Sequence, residues 1–169
     1  DVLTNKTKAV VINAPHNPTG FLPDQDFLVE LSKLSDKHGF IVFSDEVYRG
    51  LEYDSALRLS SFADLNERGV SLGAMSKTYG LAGLRIGWIA TRNQRLYQEL
   101  AEFKDYTTIC NSAPSEFLAT VALKHHDTIV HRNLSIIRSN ITLLNSFFNK
   151  YDDLFQWHEP KAGPIAFPR

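Results

Sequence analysis

Four short apolar runs, separated by amphipathic or turn-rich stretches, set the tightest limit on how this chain can fold. "KAVVIN" (8–13), "FIVFSDEVY" (40–48), "GVSLGAMSK" (69–77) and "RIGWIAT" (85–91) are too short for helices and read as buried strands. Between the first two stands "QDFLVELSKLSDKHG" (25–39), in which Phe27, Leu28, Leu31 and Leu34 fall on one helical face. Asp24 sits where an N-cap belongs and Gly39 where a helix stops. Strand and helix in alternation predict an α/β fold with a mostly parallel sheet and flanking helices. Further helices are predicted over about 93–104 and 112–126. A longer one, capped by Asp127 or Thr128, is predicted to run to about residue 150. After it, "LFQWHEPKAGPIAFPR" (154–169) changes to turns and short strands, as on entry into a second, smaller domain.

Composition narrows the function classes. Eighteen basic and nineteen acidic residues leave a net charge of −1, so no global field draws the chain to nucleic acid or to an anionic membrane surface. No apolar run approaches the roughly 20 residues of a membrane span. The one cysteine, Cys110, can form no internal disulfide, which suits a reducing cytoplasm, and it reads as a buried small residue. A first residue other than methionine and an end inside a strand-like run suggest a fragment.

Polar side chains recur where the strands end, which is where ligands bind in open parallel sheets. They are Asn17 in "NPTG", Asp45 and Tyr48 in "SDEVY", Ser76 and Lys77 in "MSK", and Arg85. Each alone has a plainer explanation. "NPTG" makes a good turn, Asp45 could cap a helix, Arg85 could pair with a surface carboxylate, and Lys77 could be a solvated amine. His16 reads as a loop histidine satisfied by backbone. His125, His126 and His131 lack the supporting ligands of a metal site. Arg49 and Glu52 could shape substrate choice, but a solvated turn is the preferred reading.

Order and spacing add what the single residues lack. "HNPTG", "SDEVYRGLEYD" and "SKTYGLAGLRIGW" stand in sequence over residues 13–88, and together they resemble the aminotransferase class I and II family, pyridoxal-phosphate enzymes of the aspartate aminotransferase fold. The resemblance implies fold type I. Residues 1–138 would be part of the cofactor-binding large domain, and 139–169 the end of a long helix and the start of the small domain. It implies pyridoxal 5′-phosphate as cofactor, an amino acid and a 2-oxo acid as substrates, and a homodimer. It also implies a role for each residue. Lys77 would form the internal Schiff base and shuttle protons. Asp45 would pair with the ring nitrogen, Asn17 and Tyr48 with the phenolic oxygen, and Arg85 with the phosphate, supported by Ser76. The small and hydroxyl residues around Lys77 would let a phosphate and a flat ring approach the backbone.

Ala74 departs from the pattern, since many members carry a phosphate-binding hydroxyl three residues before the lysine. The phosphate-cradling loop and the stacking aromatic lie upstream in relatives, and the substrate-carboxylate arginine downstream. A chain of this extent is therefore expected to expose sheet edges, bind cofactor poorly and not turn over. Two other readings use the same residues: a pyridoxal-phosphate lyase or cyclase, and the aminotransferase-like sensor domain of a transcription regulator.

Overall fold

The computed structural model describes residues 2–169. Four strands, β1 (Ala9–Asn13), β2 (Ile41–Asp45), β3 (Gly69–Ala74) and β4 (Gly87–Thr91), form one sheet in the order β1-β2-β3-β4. The first three are parallel, with Asn13 opposite Asp45 and Asp45 opposite Leu72. β4 returns antiparallel to β3. A parallel return needs a long crossover, whereas residues 75–86 hold only a single 3-10 turn, Ala82–Leu84. Met75 and Ile86 close that loop like a hairpin through a 3.0 Å backbone hydrogen bond.

Helix α1 (Gln25–His38) crosses from β1 to β2, and both of its predicted ends are observed. Asp24 Oδ1 accepts the Phe27 N–H at 2.8 Å, and Gly39 adopts φ 73°. The buried stripe of α1 is Leu28, Leu31 and Ser35. Phe27, expected on that face, is 46% exposed, because it sits a helical step of about 100° from Leu28 and rims the stripe. Leu28 and Leu31 pack with Phe40, Val42 and Phe62 into one core. Phe62 opens the one-turn helix α2 (Phe62–Leu65) before β3.

Beyond β4 come α3 (Gln94–Thr107), α4 (Ala113–Lys124) and α5 (His126–Lys150). The expected cap of the long helix at Asp127 or Thr128 is absent. α4 runs almost directly into α5, and the His125 N–H is shared by the Val121 and Ala122 carbonyls, so no loop intervenes. The apolar side of α5 buries Val130 and Leu134 against Tyr48 and Leu51, and α4 buries Ala119 and Ala122 against Met75. Cys110, expected to be buried, is exposed between α3 and α4. Both helices that flank it turn large apolar side chains outward, including Phe103 and Phe117, each 68% exposed. β1 and β4 are the sheet's edges, where Val11 is 70% and Ile89 45% exposed. No described helix is long and apolar enough to cross a membrane.

The last segment forms no strand; it meets the loop after β2 through a bridge between Glu52 and Ala162, and Trp157 stacks on Phe148 of α5. The Tyr53 hydroxyl fastens it by donating to the Gly163 carbonyl at 2.7 Å. Burial, helped by the Glu159 carboxylate, pushes the Tyr53 phenol up to about 12 from an ordinary 10.0. A raised folded-state value means that this group's stabilisation is complete below pH 10 and is lost as pH climbs from there to about 12. Urea unfolding across that window should show wild-type stability falling more steeply than that of Tyr53→Phe, which lacks the titrating group.

Candidate functional site

Asn13 and Asp45 are register partners at the carboxyl ends of adjacent parallel strands, so the sheet itself places them side by side. Asn13 uses both ends of its amide: Nδ2 donates to the Asp45 carbonyl at 3.2 Å, and Oδ1 accepts the Asn17 N–H at 2.8 Å. Asn17 Nδ2 in turn donates to Tyr48 Oη at 3.4 Å. Lys77 Nζ stands 5.9 Å from the centroid of the same tyrosine ring. One chain of contacts thus joins Asp45, Asn17, Tyr48 and Lys77, contributed by three different strand ends.

The surroundings of these groups differ usefully. Tyr48 is buried to 4% exposure by Leu51, Val130 and Leu134, so its ring is fixed. Lys77 and Asn17 are exposed, and Asp45 is half-buried. One carboxylate oxygen of Asp45 accepts the Val47 N–H at 3.2 Å, which leaves the other available to a donor. Ser76 is half-buried beside Lys77. Arg85 stands outside the chain of contacts. Its backbone has φ 53°, sparsely populated for a residue with a side chain, and its Nη1 donates to the Ala82 carbonyl at 3.0 Å. The guanidinium is exposed and keeps further N–H groups free for an anion.

Several neighbours serve the scaffold, contrary to the sequence reading. Glu52 is no solvated turn residue: it is 2% exposed, accepts the Gly50 N–H at 3.1 and 3.0 Å, and takes Arg58 Nε at 3.2 Å. Gly50 has φ 95°, so the turn after Tyr48 depends on its lack of a Cβ. Arg49 is exposed and donates through Nε to the Leu59 carbonyl at 3.2 Å. Gly73 lacks a side chain for an internal reason, since a Cβ there would lie 2.4 Å from the Trp88 ring. The Thr78 hydroxyl is turned inward and spent on the Val47 and Arg49 carbonyls.

Among the histidines, His16 Nδ1 pairs with the Thr19 hydroxyl at 2.7 Å, and His126 Nδ1 with the Tyr79 hydroxyl at 3.0 Å. Burial pushes the Tyr79 phenol upward, against the lowering effect of Arg49. No metal-ligating cluster occurs among the described residues. The cavity bounded by Arg49, Thr78, Tyr79, Trp88 and His126 includes none of Asn17, Asp45, Tyr48 or Lys77.

The donor set has a definite chemical preference. An amine, a phenol and a primary amide lie along one run of contacts, with the Asp45 carboxylate on the adjoining strand end and a guanidinium nearby in sequence. That set suits a flat heteroaromatic carrying an aldehyde, an oxyanion, a ring nitrogen and a phosphate. Pyridoxal phosphate has each of these groups, so the residues present fit it.

Known proteins point the same way. The model of the aminotransferase class I and II family matches residues 1–168. Capreomycidine synthase of Streptomyces vinaceus is 33% identical over 168 residues, which are 99% of this chain and 43% of that protein. Aspartate aminotransferase of Thermotoga maritima is 33% identical over 126 residues, 73% of this chain and 33% of that protein. The crystal structure of a PLP-dependent aminotransferase from Streptococcus suis superposes with a TM-score of 0.87 at 32% identity, covering 95% of this chain and 41% of that one. The chain thus spans less than half the length of these relatives.

Glu52→Ala should destabilise the chain by about 1–3 kcal/mol, because the buried Gly50 N–H loses its acceptor. Urea unfolding measures this, and a loss near zero would mean that water replaces the carboxylate.

Proposed function

The chain belongs to the aminotransferase class I and II family, and we propose that it forms the cofactor-facing part of an enzyme that moves an amino group between an amino acid and a 2-oxo acid. The observation that carries this reading is the run of contacts from Asp45 through Asn17 and Tyr48 to Lys77 at the strand ends. Pyridoxal phosphate, when bound, supplies an electron sink for charge developed at the substrate's α-carbon.

The protein's part follows from its own groups. Lys77 would hold the cofactor through its amine and, once released by the substrate, carry a proton to and from the α-carbon. The free oxygen of Asp45 would accept the ring N–H and keep that nitrogen protonated. Asn17 and Tyr48 would donate to the phenolic oxygen and set the ring's orientation. Arg85 would meet the phosphate with its planar fork, supported by the Ser76 hydroxyl. With Ala74 providing no hydroxyl, phosphate binding would lean on Arg85.

On this reading residues 1–138 belong to the cofactor-binding large domain and 139–169 lead into the small one, the division falling within α5. The complete gene product would act as a cytoplasmic homodimer, whose partner subunit would cover part of the apolar surface left open here. The likeness to a solved PLP-dependent cyclase over 93% of this chain, at 29% identity and a TM-score of 0.83, supports a second reading, in which the same residues serve a lyase or cyclase.

Absorbance spectroscopy of the complete gene product with pyridoxal phosphate tests both. Wild type should acquire a band that Lys77→Ala lacks, and one amino acid from a panel should convert it to the pyridoxamine form. A lysine-dependent band that no amino acid converts would favour the second reading, and no band at all would sink the cofactor assignment.

A further inference from the structure

Lys77 and Tyr48 come from different loops, and their mutual placement has to be held by something other than the sheet. Thr78 stands at the junction. Its side chain is among the buried polar groups, at 4% exposure. Its hydroxyl lies 3.0 Å from the Val47 carbonyl and 2.9 Å from the Arg49 carbonyl, the two that flank Tyr48. One hydroxyl hydrogen is shared between two acceptors on either side of the phenol-bearing residue. On the opposite side, Asn133 Nδ2 of α5 donates to the Thr78 carbonyl at 3.0 Å. The Thr78 methyl also lies 3.3 Å from where a Cβ on Gly50 would be, so the two loops are in contact as well as hydrogen-bonded.

We propose that Thr78, held by Asn133, is a positioning residue whose hydroxyl ties the lysine loop to the backbone on both sides of Tyr48 and so fixes Lys77 Nζ relative to the Tyr48 phenol. The inference rests on the function proposed above. Neither residue needs to touch cofactor or substrate for this. Lys77 is exposed on a long, flexible side chain, and a backbone held at the adjacent residue limits the volume its amine can search. Misplacing a reacting group by about 1 Å can cost about a hundredfold in rate.

The step to measure is condensation of Lys77 with the aldehyde of added pyridoxal phosphate, in which the neutral amine replaces the aldehyde oxygen and one water leaves. Stopped-flow absorbance on the complete gene product separates cofactor binding from this first-order bond formation. Melting of the cofactor-free protein, a readout independent of activity, reports folding. Thr78→Val, which keeps the shape and removes the hydroxyl, should slow bond formation by about tenfold or more, and Thr78→Ser should stay within about threefold of wild type. Cofactor affinity before bond formation should match wild type in both variants; Thr78→Ser should also keep the wild-type melting temperature, whereas Thr78→Val, which leaves the Val47 and Arg49 carbonyls without this donor, should melt somewhat lower yet remain folded at the assay temperature. A wild-type rate in Thr78→Val, or equal slowing in Thr78→Ser, would overturn the proposal. If Thr78→Val does not fold, Asn133→Ala decides, since it frees the Thr78 carbonyl and keeps the hydroxyl: slowing supports the tether and a wild-type rate rejects it. Failure of wild type itself to form the lysine-dependent band would reject the cofactor reading instead.

Discussion

Parallel pairing of β1, β2 and β3 is the constraint on which the rest of the site depends. It brings the carboxyl ends of three strands to one edge, so residues far apart in sequence become neighbours without contacting one another directly. The register puts Asn13 beside Asp45, and the two ends of the Asn13 amide then reach one strand end and one loop. Had β2 slipped by one residue, Asp45 would turn to the other face, where Val42 and Ser44 are buried. The core of Leu28, Leu31, Phe40, Val42 and Phe62 opposes that slip, so apolar packing on one face of the sheet fixes which side chains of β2 stand on the other.

The site's components are secured by separate parts of the core. Tyr48 packs against Val130 and Leu134 of α5, whereas the lysine loop is anchored through Met75 on Ala119 and Ala122 of α4. Because α4 and α5 are nearly continuous, those two anchors share one support. Glu52 adds a buried charge, stabilised by backbone N–H and Arg58, that fixes the turn following Tyr48. Polar groups buried in this way favour one arrangement of a loop over its near alternatives.

Much of this was legible in the sequence because it is local. Asp24 and Gly39 punctuate α1 by rules that need no tertiary information, and β-branched runs identified the four strands. The site motifs could be found because each follows a strand. The sequence reading failed where the answer depended on distant residues. The expected mostly parallel sheet is observed, and the antiparallel direction of β4, which that expectation left open, follows from the length and closure of the loop before it. Glu52 looks like a charged residue in a polar turn until Arg58 and the Gly50 N–H are brought to it. Thr78 looks like one hydroxyl among several, and only the fold shows it between two carbonyls of another loop. Phe27 and Cys110 went wrong for a related reason, since periodicity and residue type give a preference for burial but do not say which surface is covered.

Helix α3 carries a consequence of a different kind. None of its residues is buried, and Tyr97, Phe103 and Tyr106 face outward at 59%, 68% and 94% exposure. A lone helix of this length is marginal in water, so with little packing to hold it α3 should open far more often than β2 or α5. Amide hydrogen exchange would then divide the chain into a slowly exchanging unit of sheet and α5, and a rapidly exchanging α3 whose protection rises only when something packs against it.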